Sequence, residues 1–422
     1  MPNSIITRPN RDHHGFYTVG EFKTYSKLEA IEVGVRIDKP VTWNYNRDVF
    51  ENVRWDIEPS GGLDYYYRER ALQLREKYNY IVLFYSGGSD SHNMLMSFVK
   101  NNIFIDEIVQ YHQLEAYHGD KTYVANLEQF ATSVPITQQL IETNPTYKNT
   151  VHRLIDLTSF KKQVLSDKVF KEDWLHLHND YVGLNATAVG EMKYIEPDYR
   201  QIADSGKTVC LLWGVDKPQM KVDANNNWTC SFNESSFATI VSVNSKLVNE
   251  TWCSEELFYW TPDFPEIVVK QAHVVKNYVE NFTGEQVDNN YVVKDIISMN
   301  EYGHSVDMIN IPAFTFTKNN QSYTMMLNGV RRLVYPWWQP ELVVRPIVQS
   351  CIFADSDYAY LKSNAPDPAG SRQFLKGVVR LREYMRKHAA QYWYEFQHDP
   401  KIGPFNGGIK SMTNTYSLKG KK

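Results

Sequence analysis

The chain has 422 residues, a net charge of −4 and 14% aromatic residues, with Tyr (28) the main contributor. That length allows two domains or one large α/β domain with additions, and the mild acidity gives no bulk signature of a nucleic-acid or membrane surface. Cys210, Cys230, Cys253 and Cys351 lack CxxC spacing, which argues against a zinc ribbon or a disulfide scaffold. With no secretory-type N-terminus and no apolar run of membrane-spanning length, a cytoplasmic location is expected.

Residues 1–60 read as a polar and aromatic N-terminal extension with short strands near Ile31–Ile37 and Thr42. Gly61-Gly62 breaks the chain. Beyond it Leu63, Tyr67, Ala71, Leu74 and Tyr78 recur at three- and four-residue spacing, which predicts an amphipathic helix. Its basic residues Arg68, Arg70, Arg75 and Lys77 read as a solvated face, with a phosphate contact as the alternative. Ile81–Tyr85 is too short for a buried helix, rich in strand formers and stopped by Ser86-Gly87-Gly88, so it reads as a central strand. Ser89 or Asp90 can cap the following helix, in which Met94, Leu95, Phe98 and Val99 are the apolar positions.

A second strand is expected at Phe104–Tyr111, closing a strand–helix–strand crossover of the kind parallel sheets require. Ligands of such sheets lie beyond the carboxyl ends of the strands, so the loop after the first strand and Tyr111–Gln113 share one rim; Tyr111 is a candidate adenosine contact, and the alternative is that Tyr111 and His112 merely begin a loop. A helix over Lys121–Glu142 carries Asn126 and Glu128, which read as helix-surface polar residues. A third strand follows at Val151–Leu157, then a helix at Phe160–His178, whose His176 and His178 have no metal-ligand spacing. The fourth strand, Thr208–Trp213, ends in Gly214-Val215-Asp216-Lys217-Pro218. If it is parallel to the first, this glycine, acid and cation reach the same rim.

Past a boundary near residue 255 the pattern changes. Pro265 opens a helix, Phe314–Met326 reads as a hairpin, and another helix is expected over Ser371–Tyr394. Arg331-Arg332-Leu333-Val334-Tyr335-Pro336-Trp337-Trp338 has a composition suited to holding a substrate or a nucleobase. Packing between helices explains its aromatics as well and is the reading adopted. The expected organisation is an N-terminal extension (1–60), a nucleotide-binding α/β domain (61–255) and a mostly helical substrate or interaction region (256–422).

The strand–loop–helix at 81–99 carries the clearest chemistry. The first N–H groups of a helix lack internal partners and sit at the positive end of its dipole. Gly87 and Gly88 let a polyanion approach that end, and Ser86, Ser89 and Ser91 add hydroxyls around it, so the implied ligand is phosphate. The stretch has neither the Lys-Ser/Thr ending of GxxxxGK[ST] nor the spacing of GxGxxG.

Ser86-Gly87-Gly88-Ser89-Asp90-Ser91 resembles the SGGxDS signature of the PP-loop ATP pyrophosphatases, and in layout the chain is most similar to the synthetase half of asparagine-synthetase-like enzymes. The resemblance implies a doubly wound, mainly parallel α/β sheet of the PP-loop/HUP-like kind. It implies ATP and Mg²⁺ as ligands and cleavage between the α and β phosphates, with adenylation of a carboxylate or carbonyl oxygen for attack by ammonia or an amine. It assigns phosphate contacts to Ser86, Gly87, Gly88, Ser89 and Ser91 and a magnesium contact to Asp90. With the second loop, Asp216 joins Asp90 as a metal contact and Lys217 becomes the cation that takes pyrophosphate charge. A glutamine-hydrolysing relative would begin with cysteine after Met removal. This chain begins Met1-Pro2-Asn3, so free ammonia, an amine or a partner's product is the expected nucleophile. A nucleobase-modifying enzyme acting on RNA or DNA and a non-catalytic nucleotide-binding or assembly protein are the alternatives. The acceptor is a small molecule or a nucleobase, and the tyrosine content is compatible with a homo-oligomer.

Overall fold

The computed structural model describes residues 14–24, 27–112, 129–156, 198–232, 253–283, 292–294, 312–338, 396–397, 410–411 and 413–419, with positions 12, 114, 119 and 121 besides. Strands β1 (Phe16–Val19) and β2 (Phe22–Thr24), helix α1 (Lys27–Ile37) and strand β3 (Thr42–Asn44) come first, and the strands pair antiparallel in the order β2-β1-β3. Ile31–Ile37 is thus helical rather than a strand. Its β-branched residues favour strands, but Ala30 and Val33, three apart and buried, share a helix face, and α1 packs on β1 and β2. After the short α2 (Arg47–Phe50), an aromatic cluster ties this extension down. Phe50 lies 4.5 Å from Phe232 and Trp55 stacks on Tyr416 at 4.9 Å, while the Tyr45 hydroxyl donates to the Trp260 carbonyl.

Helix α3 (Leu63–Lys77) buries Leu63, Tyr67, Ala71 and Leu74, the positions its spacing selects. Its basic residues correct the sequence reading. Arg70 is fully buried, donating to Glu256 Oε2 and to the Leu257 carbonyl, both at 2.9 Å; Lys77 reaches Glu256 Oε1 at 2.7 Å, and Arg75 pairs with Asp106. A buried guanidinium is tolerated only where it is paired, which a helical wheel cannot reveal.

The strands of the central sheet follow. In chain order they are β4 (Tyr80–Phe84), helix α4 (Ser89–Val99), β5 (Glu107–His112), a π-turn at Gln129–Ser133 leading into α5 (Val134–Thr143), β6 (Val151–Asp156) and β7 (Val209–Trp213). The hairpin β8 (Gln219–Val222) and β9 (Trp228–Ser231) precedes the fifth sheet strand, β10 (Cys253–Leu257). The order is β10-β7-β4-β5-β6 and every pairing is parallel, which makes this an α/β fold with helices on the sheet. Buried runs Ile81–Phe84 and Val209–Trp213 fill its centre, as parallel strands covered on both faces require. The expected long helix at Lys121–Glu142 has only its second half within the described residues, as the π-turn and α5. Asn126, Glu128, the helices expected at Phe160–His178 and Ser371–Tyr394, and His176 and His178 lie outside them.

Helix α6 (Glu266–Glu280) starts after Pro265. Strands β11 (Val292–Lys294), β12 (Pro312–Lys318) and β13 (Gln321–Met326) form an antiparallel sheet. The β12–β13 turn is Asn319-Asn320, with φ of 51° and 61°, the left-handed pair of a two-residue hairpin. Helix α7 (Leu327–Val334) and the short strands β14 (Phe396–Gln397), β15 (Lys410–Ser411) and β16 (Tyr416–Ser417) complete the described elements, β16 pairing with β9. The described part of 256–422 is therefore mixed rather than mostly helical, and β10 at the expected boundary belongs to the central sheet. No described helix is long and apolar enough to cross a membrane.

Candidate functional site

The carboxyl ends of β4 and β7 lie side by side because their strands pair in parallel, with Leu83 opposite Leu212. One residue further on, Phe84 and Trp213 stack with ring centroids 3.8 Å apart and planes 4° from parallel. Both loops, 85–88 and 214–218, leave from this fixed pair.

In the first loop Gly87 has φ of +89°, a conformation costly for any residue with a Cβ. Gly88 is the N-cap of α4 with extended backbone and no side-chain cap, so the cap expected at Ser89 or Asp90 falls one or two residues earlier and those side chains sit in the first turn. The freed Asp90 carboxylate is available at the positive end of the helix. Ser86 and Ser91 face each other across the loop with their Oγ atoms 3.0 Å apart. The Gly88 N–H donates to Ser86 Oγ at 3.3 Å, and Ser89 Oγ donates to Asp90 Oδ2 at 3.1 Å.

In the second loop Gly214 is dictated by contact rather than by a turn. A Cβ there would stand 2.9 Å from the backbone N and Cα of Ser91, so only glycine lets this loop lie against the start of α4. The Val215–Asp216 peptide is cis. Beyond it Lys217 Nζ pairs with Asp90 Oδ1 at 3.1 Å and with Asp216 Oδ1, all three side chains being mostly buried. The segment after β10 holds this loop in place: the Phe258 N–H donates to the Trp213 carbonyl at 2.9 Å and the Trp260 N–H to that of Val215 at 3.1 Å.

Burial alone would raise the Asp90 carboxyl, but Lys217, Arg331 and hydrogen bonds outweigh it and hold Asp90 below the usual carboxylate range. Asp216 is pushed up, first by burial and then by neighbouring Asp90, against the pull of Lys217. Burial would lower the Lys217 ammonium, and Asp216 and Asp90 reverse that, so it stays charged. His92, whose Nδ1 lies 2.9 Å from the Tyr85 hydroxyl, is lowered to about 4 by burial and is neutral at physiological pH.

The structure thus brings together Ser86, Ser91, Asp90, Asp216 and Lys217, with Gly87, Gly88 and Ser89 forming the turn between them. Tyr111, near the end of β5, stands on the same rim one strand away, two residues past the Val109 that pairs with Phe84.

Sequence reasoning missed Tyr259 and read Tyr335 as a packing residue. The Tyr335 hydroxyl, at the end of α7, donates to Asp90 Oδ1 at 2.6 Å, and that of Tyr259 donates to the Asp90 carbonyl at 2.8 Å. The two rings pack at 5.1 Å. Burial, with Asp90 adding to it, raises the Tyr335 phenol well above its ordinary value, so it acts as a donor. Arg331 stands one turn before Tyr335, close enough for its charge to act on both Asp90 and Lys217. The signal was the cluster Arg331–Trp338, read as helix packing. Trp337 and Trp338 do pack, yet the Tyr335 hydroxyl reaches Asp90 at the loop.

No protein-family model, curated protein or solved structure matches this chain.

Proposed function

We propose that the protein binds Mg-ATP at Ser86–Ser91 and cleaves it to AMP and pyrophosphate, adenylating a carboxylate or carbonyl oxygen for attack by ammonia or an amine, as the likeness to PP-loop enzymes suggests. The observation that carries this reading is Lys217 Nζ 3.1 Å from Asp90 Oδ1, a cation delivered from one parallel strand to the anion-binding helix start after the next. Phosphate oxygens would take the free N–H groups of the first turn of α4 and the hydroxyls of Ser86 and Ser91. Lys217 would stabilise the charge that develops as pyrophosphate leaves, and preorganised charge of this kind is a large term in catalysis.

Among the described residues no three His, Cys, Asp or Glu side chains gather as a metal site, and at the two loops these residues offer the carboxylates of Asp90 and Asp216. That donor set suits Mg²⁺, which commonly takes one or two carboxylates and completes its shell with phosphate and water. When bound it would neutralise phosphate charge. The Tyr335 hydroxyl, donating to Asp90 Oδ1, orients that carboxylate.

Incubation with Mg-ATP, ammonium and a panel of small carboxylates and nucleosides tests the reading. AMP and pyrophosphate are the expected products. ADP, or no turnover with any acceptor, overturns it.

A further inference from the structure

The charges at the loop leave a deficit that one residue outside it can fill. Asp90 and Asp216 are both paired to Lys217, so with all three ionised the cluster has one surplus negative charge. The start of α4 offers only about half a positive charge in return. A polyphosphate arriving there meets a lysine already engaged by two carboxylates.

Among the described residues Arg331 is a cation near the loop that is not so engaged. Among the described residues no carboxylate lies within salt-bridge distance of it. Its Nη1 donates to the neutral Asn328 Oδ1 at 3.2 Å, and its Nε is buried without a hydrogen-bond partner. The guanidinium lies over the Trp338 ring, 5.8 Å from the centroid, a contact that restrains the plane of the group without neutralising it. Its position is fixed from two sides. Tyr335, four residues on and therefore on the same helix face, is hydrogen-bonded to Asp90 at 2.6 Å, and the Tyr335 N–H donates to the Arg331 carbonyl at 2.7 Å. The Tyr67 hydroxyl donates to the Val334 carbonyl and accepts from Gln271 Nε2 at 3.0 Å, which fastens α7 to α3 and α6. A buried donor without an acceptor costs free energy unless a ligand satisfies it, and a planar guanidinium fork matches a phosphate edge.

We infer that Arg331 is a ligand-binding residue of this site and grips the β and γ phosphates from the side opposite the glycine loop, so that the polyphosphate bridges α4 and α7. The inference rests on the ATP reading and adds to it a phosphate contact from the C-terminal part of the chain. AMP, which lacks those phosphates, does not reach Arg331.

Titration calorimetry on the full chain with Mg²⁺ tests this, using α,β-methylene-ATP, inorganic pyrophosphate and AMP as ligands. The wild type should bind all three. Arg331→Gln should weaken the methylene analogue and pyrophosphate at least ~10-fold, the loss of a charge-assisted pair of hydrogen bonds, and leave AMP unchanged. Arg54→Gln, which removes an exposed charge paired with Asp56, controls for net charge and should bind like the wild type. Arg331→Lys keeps the charge without the fork and should show a ~3-fold loss. If Arg331→Gln does not fold, as judged by circular dichroism, Arg331→Lys carries the test. Unchanged pyrophosphate affinity in the folded variants, or an equal loss for AMP, overturns the assignment to Arg331 alone. A wild type that binds neither nucleotide nor pyrophosphate overturns the ATP reading and the inference with it.

Discussion

Lys217 and Asp90 are 127 residues apart in the chain and 3.1 Å apart in the structure, with Asp216 on the other side of the same ammonium. Lys217→Met should therefore do two things. AMP formation should fall by about 10²–10³-fold, as for loss of a preorganised charge at a developing anion. Stability should drop by about 3 kcal/mol, because two mostly buried carboxylates are left facing each other. Product analysis and urea denaturation measure these separately, and Lys217→Met with full activity would contradict the proposed role.

Tyr335→Phe keeps the ring against Tyr259 and deletes only the hydroxyl that donates to Asp90. A hydrogen bond to a charged group contributes about 1.5–3 kcal/mol. The expected result is a native circular dichroism spectrum with turnover reduced by roughly 10-fold or more, whereas unchanged kinetics would show that Asp90 needs no support from α7.

Gly214→Ala places a Cβ 2.9 Å from the Ser91 backbone, where no flexible side chain can yield. Overpacking of this kind costs about 1–3 kcal/mol. Here it should also push the Lys217 loop from α4. The midpoint of thermal unfolding should fall and nucleotide affinity with it; a variant that loses neither would show that the two loops do not need this approach.

Glu255 and Glu256 are adjacent in β10 and point to opposite faces of the sheet. Burial pushes Glu255 up to about 8, both of its carboxylate oxygens lacking a hydrogen-bond partner. For Glu256 burial acts in the same direction, but Arg70 and Lys77 win and hold it at about 2. The signs follow by linkage. Glu255 keeps its proton in the folded state while the unfolded chain releases it near 4.5, so its contribution to stability falls as pH rises from 4.5 to about 8. Glu256 contributes stability that is present above 4.5 and is lost as pH falls through about 2. Glu255→Gln should remove the alkaline loss and raise stability at pH 8 by as much as ~5 kcal/mol, whereas Glu256→Gln strands buried Arg70 and should cost ~3–5 kcal/mol near neutrality. Urea titrations across pH check both, and a Glu255→Gln profile parallel to the wild type would refute the first.

Much of the frame is local information, and the sequence alone carries it. The apolar runs of β4 and β7, the glycine loop, the apolar face of α3, the Pro265 helix start and the Asn319-Asn320 hairpin each follow from the periodicity or backbone preference of neighbouring residues. The loop at 214–218 was legible as a partner of the first loop because parallel strands put their carboxyl ends on one rim. Other features depend on contacts between distant segments. Ile31–Ile37 became a helix because a small sheet lay beneath it, and Arg70 went inside because Glu256 was there to pair with it. Tyr335 reaches Asp90 because Tyr67 and Gln271 hold the end of α7 in place. The composition of the 331–338 stretch suits a ligand contact and helix packing equally, so it does not decide that placement. Backbone preferences act over a few residues and can be read along the chain, whereas burial, charge pairing and close approach belong to pairs of residues that only the tertiary fold brings together.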